Sequence, residues 1–467
     1  MDPTLQHDAE HIEHILHEVA REASRVLTAL PGRPVAQRPG TAKPLALPDQ
    51  GLGFQATLDH FRTRYADALS GSAGPRYLGF VTGGATPAAL AGDWLVSTFD
   101  QNVAPSGESA APLLERETLA LLRTLFGLSE AHSGSFVTGA TMSNFVGLAL
   151  ARQWWAHQHG RDAAQEGLSG LPPLRVLSGA PHSSVYKALS MLGIGRSSVE
   201  VVPVLPGREA VDLAALEERL MAQGGELCVV VANAGTVNTV DFDDLSAIAA
   251  LRERYGFWLH VDAAFGAFAA CSPEFRHLTA GLDLADSVTV DAHKWLNVPY
   301  DAAMQFTRHP ELQVQVFQNS AAYLGLPTAE PDFVHLTPEN SRRLRALPAW
   351  FSLLAYGAAG YREIVERNVA CARDLGGRVA TSPQFRLLAP VRLNVACFAL
   401  QGEEGNLAEV TAAFLARLRD DGRAFLTPTV YEGTPGVRAA FSNWRTTPAD
   451  VEVVWRAMGD ALAPQST

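Results

Sequence analysis

Cysteine is scarce in this chain: four in 467 residues, at Cys228, Cys271, Cys371 and Cys397, with no C-x-x-C pair among them. That spacing supports neither a disulfide framework nor a zinc site, and it is the usage expected of a reducing, cytoplasmic compartment. Basic residues are in deficit, 37 Lys and Arg against 49 Asp and Glu, for a formal net charge of -12. A nucleic-acid or anionic-membrane partner needs a basic stripe, and none is present. No run reaches the roughly 18 apolar residues of a membrane span, and the acidic, polar stretch 1–10 lacks the basic-then-apolar pattern of a secretory signal. The turn Gly193-Ile194-Gly195 lacks the third glycine of a dinucleotide fingerprint. What remains is the composition of an ordinary globular protein, 47% apolar and 18% charged, long enough for two or three domains and a large core. A small molecule is the partner these exclusions leave.

Along the chain, apolar residues from Ile12 to Leu30 recur at three- and four-residue steps and predict an amphipathic helix. His7, His11, His14 and His17 share the helical spacing, but a row does not close a coordination polyhedron, so they read as a solvated face. Proline-rich 31–50 reads as an extended connection.

Apolar, β-branched runs at 175–177, 227–232, 257–261 and 287–290 predict strands, and helical spacing over 245–255 makes strand, helix, strand: a parallel crossover unit. Each run is followed by a polar residue, respectively His182, Thr236, Asp262 and Lys294. Open α/β sheets bind ligands beyond the carboxyl ends of their strands, so the four converge on one site. A partly desolvated lysine there is a usable amine nucleophile toward a carbonyl. Upstream, Thr138-Gly139-Ala140-Thr141 precedes a helical run at 145–155. Small and hydroxyl residues at a helix start leave backbone N–H groups free for an anion. A further strand at 302–306, a polar, proline-interrupted loop at 318–338 and helical patterning over 341–373 follow. Alternation of a strand at 394–400 with a helix at 410–418 predicts a small C-terminal α/β domain.

Asp291-Ala292-His293-Lys294-Trp295 resembles the lysine motif of the group II pyridoxal-phosphate amino-acid decarboxylases, among them the aromatic amino-acid, glutamate and diaminobutyrate decarboxylases. His182-Ser183-Ser184 resembles the family's ring-stacking turn, and Gly139-Ala140-Thr141 its phosphate-binding turn, with Gly139 where the animal enzymes often carry serine. The resemblance implies an α/β type I aminotransferase-like fold: an N-terminal dimerisation arm over 1–74, a large, mostly parallel sheet domain over 75–345 and a small domain over 346–467. It implies pyridoxal 5'-phosphate held as an imine on Lys294, with Asp262 facing the ring nitrogen and His182 stacked on the ring. Ala264 would pack beneath the ring, Thr236 near its phenolic oxygen and His293 toward the phosphate. Asp291 replaces an asparagine common in the animal aromatic enzymes, and as an anion it is a poor phosphate partner.

Phe80 and Thr82, in Pro75-Arg76-Tyr77-Leu78-Gly79-Phe80-Val81-Thr82, would line the substrate pocket, and Tyr323 would be the loop tyrosine that protonates the α-carbon. The implied reaction converts an L-amino acid to its amine and carbon dioxide on a homodimer. Phe80 leans toward an aromatic substrate, whereas Gly79, in place of a bulky ring, and Arg76 leave an acidic one open. Rivals are an aldehyde synthase, an aminotransferase or a carbon-carbon lyase on the same fold, and a non-catalytic binding protein. The tryptophan after the lysine, and His-Ser-Ser in place of an aromatic ring-stacking residue, favour the decarboxylase.

Overall fold

The structure is a computed structural model that describes residues 1–37, 43–103, 109–319, 330–402 and 406–462; Tyr323 lies outside the described residues. Seven strands form the larger sheet: β1 (Ser133–Val137), β2 (Val176–Ser178), β3 (Val199–Val201), β4 (Val229–Asn233), β5 (Trp258–Asp262), β6 (Ser287–Asp291) and β7 (Ala303–Thr307). Their order is β1-β7-β6-β5-β4-β2-β3. β3, β2, β4, β5 and β6 run parallel, and β7 runs antiparallel to both of its neighbours. Every residue of β2, β4, β5 and β6 is buried, which is why they read as continuous apolar runs and not as alternating ones. Side chains still alternate in direction. Val230 and Ala232 of β4 enter one core, and Val229 and Val231 enter the core on the opposite face.

The predicted strands match β2, β4, β5, β6 and β7 to within two residues, and the helix predicted at 245–255 is Leu245–Tyr255. β1 and β3 escaped the pattern. β1 opens Ser-Gly-Ser, and β3 is three half-exposed residues, Val-Glu-Val, at the sheet edge. The stretch predicted as a polar loop to 338 is in part core: Phe333–His335 forms a buried turn. The Arg342 guanidinium lies 5.0 Å from the Phe333 ring and, fully buried, pairs with Glu115 at 2.9 Å. The following helix is Ala346–Thr381, starting later and ending later than its pattern suggested, with a break at Gly357, whose φ is 59°.

A second, antiparallel sheet joins β8 (Phe385–Leu387), β9 (Val395–Leu400), β10 (Thr427–Tyr431) and β11 (Thr434–Ala440) in the order β10-β11-β9-β8. Helix Ala346–Thr381 serves both cores, with Ile364 and Val365 in the first and Leu375 and Val379 in the second. Leu78 is another tie. Its N–H donates to Phe425 O and its carbonyl accepts from Ala440 N–H, both at 2.9 Å, so the stretch around Phe80 is laid against β11. At the N-terminus, helices Pro3–Glu10 and Ile12–Ala29 leave Ile12, Leu16 and Val19 between 39% and 56% exposed. Among the described residues no helix is long and apolar enough to cross a membrane.

Candidate active site

β2, β4, β5 and β6 are neighbours in the sheet and parallel, so their carboxyl ends open on one place. A cavity of about 290 Å³ lies there, and Phe80, Ala140, His182, Thr236, Asp262, Ala264, His293 and Lys294 all line it. Thr82 does not. Its side chain is buried, 3.3 Å from the hydroxyl of Tyr300, and it is Tyr300 that reaches the cavity. Gly139 and Thr141 flank Ala140 at the start of helix Ala140–Gln158 and do not line the cavity themselves.

Lys294 is presented by a short turn. β6 ends at Asp291, and Trp295 is buried with its indole N–H donating to Asn368 Oδ1 at 2.8 Å, which pins the turn to helix Ala346–Thr381. Gly83 lies so close beneath that a Cβ there would meet the Lys294 carbonyl oxygen at 1.7 Å, so only glycine fits. The Lys294 ammonium sits 3.3 Å from Asp291 Oδ2 and 5.6 Å from the centre of the Phe265 ring. Asp291 Oδ1 is 3.2 Å from His293 Nε2. The carboxylate that replaces the expected asparagine is therefore paired with the lysine through Oδ2, while Oδ1, beside His293, has no hydrogen-bond partner among the described residues.

Asp262, the last residue of β5, is buried. Its Oδ2 accepts from Asn144 Nδ2 at 3.0 Å and its Oδ1 from the Ala264 N–H at 3.2 Å. His182 Nδ1 accepts from the Ser184 N–H at 3.2 Å, so the neutral ring carries its proton on Nε2. The ring is open to the cavity, yet it lies deep enough among protein atoms that desolvation holds its pKa below the usual imidazole value, against the pull of Asp262. Thr236 lines the cavity with its hydroxyl already engaged, donating to Glu209 at 2.5 Å and accepting from the Asp241 N–H at 2.9 Å. The 19-residue helix Ala140–Gln158 has no side-chain cap at Gly139. Its free N–H groups and dipole face the side where a Cβ on Gly139 would come within 3.5 Å of His293. An amine, a held carboxylate and an uncapped helix start are what pyridoxal phosphate requires at its aldehyde, its ring nitrogen and its phosphate.

Sequence reasoning missed Arg438. It lines the cavity from β11, is 7% exposed, and donates from Nη2 to the Phe80 carbonyl at 3.3 Å, while its buried Nε has no partner. Burial lowers its pKa. The available signal was a lone charge in the apolar run Val437-Arg438-Ala439-Ala440-Phe441. Arg76, the cation weighed from sequence for an acidic substrate, is engaged elsewhere, donating to Arg423 O at 2.9 Å and pairing with Asp450 at 3.0 Å. At Gly79 the absent ring is replaced from another segment: a Cβ there would lie 2.4 Å from Phe425 Cε1. Phe425 in turn stacks on Tyr77 at 4.7 Å. A larger cleft of about 910 Å³ beside Asp241 holds none of the strand-end residues above; of its three arginines Arg208 pairs with Asp241 at 2.6 Å, Arg373 with Glu274 at 2.9 Å, and Arg392 Nε lies 3.4 Å from Asp241.

Residues 34–401 match the pyridoxal-dependent decarboxylase conserved domain. An aromatic-L-amino-acid decarboxylase of Bacillus atrophaeus is 26% identical over 416 residues, 86% of this chain and 84% of that one. Among solved structures, Oryza sativa TDC with PLP and tryptamine superposes with a TM-score of 0.89 at 23% identity, covering 97% of this chain and 98% of that one. Rhodiola rosea 4-hydroxyphenylacetaldehyde synthase superposes with a TM-score of 0.84 at 21% identity, covering 99% and 98%. These structural likenesses establish the α/β fold, and the match over most of the chain establishes the family: the chain belongs to the pyridoxal-dependent decarboxylases and is a carboxy-lyase whose cofactor is pyridoxal phosphate.

Proposed function

We propose that this enzyme decarboxylates an aromatic L-amino acid to its amine and carbon dioxide, with the cofactor bound through Lys294. The observation that carries the reading is the convergence of Lys294, Asp262 and His182 from neighbouring parallel strands on one cavity. Bound pyridoxal phosphate supplies an electron sink for the bond broken at the α-carbon. Lys294 would provide the amine that holds the cofactor's aldehyde. Asp262, its carboxylate held by Asn144 and the Ala264 N–H, keeps a proton on the ring nitrogen. His182 orients the ring and substrate so that the bond to the carboxylate is the one broken. The uncapped start of helix Ala140–Gln158 takes the phosphate.

Ring surface at the cavity supports an aromatic substrate. Phe80 and Tyr300, 59% and 60% exposed, offer ring surface to the cavity, with Phe425 filling the gap behind Gly79. With Arg76 engaged elsewhere, Arg438 is the guanidinium at the cavity, available to the α-carboxylate that every amino acid carries. Arg438→Met should raise KM for all substrates by about ten- to a hundredfold, the cost of a lost charge-assisted pair, without changing their ranking. A selective loss for glutamate in steady-state kinetics would instead put Arg438 on the substrate side chain. The reading as a whole is tested by a panel of L-amino acids assayed for carbon dioxide, amine and peroxide. Amine and carbon dioxide in equal amounts, with tryptophan, tyrosine or phenylalanine ahead of glutamate, is expected. Aldehyde with peroxide would replace the reading by an aldehyde synthase.

Tyr323, outside the described residues, is proposed from its sequence context as the acid that protonates the α-carbon after carbon dioxide leaves. Tyr323→Phe should keep carbon dioxide release but yield aldehyde, ammonia and peroxide in place of amine, with dissolved oxygen as the oxidant. Amine at the parental rate, with no oxygen uptake, would remove the assignment. The exposed stripe Ile12, Leu16 and Val19 on the arm 1–74 suits burial against a second copy, in a cytoplasmic homodimer whose protomer divides at 75–345 and 346–467. Sedimentation velocity reads that state directly.

A further inference from the structure

Asn144 lies in helix Ala140–Gln158, fully buried, and uses all four of its hydrogen-bonding positions. Its Nδ2 donates to Asp262 Oδ2 and to Ser184 Oγ, both at 3.0 Å. Its Oδ1 accepts from Thr289 Oγ1 at 2.7 Å and lies 2.9 Å from His260 Nε2. Turned over, the amide would set its oxygen against a carboxylate, so this orientation is fixed by Asp262.

The bonds behind it share one direction. Trp258 Nε1, which only donates, reaches Ser287 Oγ at 3.0 Å, and Ser287 Oγ lies 2.7 Å from His260 Nδ1. His260 is fully buried, which pushes its pKa down to about 4 and keeps the ring neutral. Ser287 accordingly donates to Nδ1, and the one ring proton sits on Nε2, aimed at Asn144. On the other branch Ser184 Oγ accepts from Asn144 and lies 2.7 Å from His182 Nδ1, to which its own proton goes. A donor chain thus runs from Trp258 through Ser287, His260 and Asn144 to Asp262, and branches at Asn144 through Ser184 to His182.

We propose that Asn144 is a positioning residue of this site: one amide aims the Asp262 carboxylate at the cofactor's ring nitrogen and orients the Ser184 hydroxyl toward His182 Nδ1, beside the Ser184 N–H that keeps the ring proton on Nε2. The inference rests on the roles proposed above for Asp262 and His182. Asn144→Leu removes all four bonds at similar volume, and Ser184→Ala cuts the His182 branch alone. The readouts are long-range proton-nitrogen spectra of the cofactor-free protein labelled with nitrogen-15 histidine, and the dissociation constant of pyridoxal phosphate.

In the parent, His182 and His260 are both expected as Nε2–H tautomers. Asn144→Leu should keep the His182 tautomer, which the Ser184 N–H holds, but shift the nitrogen-15 resonance of His182 Nδ1 and weaken cofactor binding by about ten- to a hundredfold, the scale of a lost hydrogen bond to a charged group. Ser184→Ala should move the Nδ1 resonance toward that of a less bonded acceptor with parental cofactor affinity. A folded Asn144→Leu that keeps both the His182 Nδ1 resonance and the affinity would overturn the proposal. Should that variant not fold, an unchanged His182 Nδ1 resonance in Ser184→Ala overturns it equally. A parent without decarboxylase activity would count against the roles of Asp262 and His182 only, because the resonances are read without cofactor or substrate.

Discussion

Lys294→Ala is expected to lower turnover by on the order of 10⁴-fold or more, the largest loss of any single change in this site. The position leaves no substitute amine. Asp291 and His293 flank it, and Lys187, on helix Ser183–Met191, is not among the residues lining the cavity. The fold should survive, because the turn is held by Trp295 on Asn368 and by the close packing of Gly83, neither of which uses the lysine side chain. Removing the ammonium leaves the buried Asp291 carboxylate without its cation, beside a His293 that burial holds toward the neutral form, so a loss of melting temperature in the cofactor-free protein accompanies the change. A small added amine such as methylamine should restore part of the turnover, because it can occupy the vacated space and supply the missing group. Single-turnover kinetics with and without the amine measure both effects.

Asp262→Ala should be next in size, at about 10²- to 10³-fold in kcat, the usual cost of removing a preorganised charge aimed at developing charge. The cofactor should still be bound, since Lys294 and the start of helix Ala140–Gln158 are intact. What is lost is the anion that holds a proton on the ring nitrogen, and with it most of the ring's capacity to accept electrons. Asn144, whose Nδ2 lies 3.0 Å from Asp262, would keep its other three contacts. Near-parental kcat with an unchanged absorbance spectrum of the bound cofactor would mean that the electron sink is tuned by another group.

The strand ends were legible for a physical reason. β4, β5 and β6 are buried on every residue, so their apolar runs stop where the sheet stops, and the first polar residues beyond mark the cavity. Arg438 was not legible as a site residue, because β11 belongs to the second sheet and meets the cavity through tertiary contacts, Ala440 with Leu78 and Arg438 with Phe80. Thr82 is set back from the cavity for a local reason. Alternation along an extended chain puts residues 80 and 82 on one side, but Phe80 has a φ of 59°, which turns the backbone and sends Thr82 into the interior. Phe80 holds a conformation that costs a non-glycine residue of order 1–3 kcal/mol, and its ring is what the turn delivers to the cavity. Asn144 shows the same limit in another form: within the run Met142-Ser143-Asn144-Phe145 it reads as one more polar residue of a helix start. Only the fold reveals that Asp262, Ser184, His260 and Thr289 all meet on it.

The most direct test of the site assigned here is chemical. The protein loaded with pyridoxal phosphate is reduced with borohydride, digested, and mapped by mass spectrometry. The result expected is a single peptide carrying the reduced cofactor on Lys294, absent from Lys294→Ala. The cofactor found on Lys187, or on any other lysine in the parent protein, would contradict it.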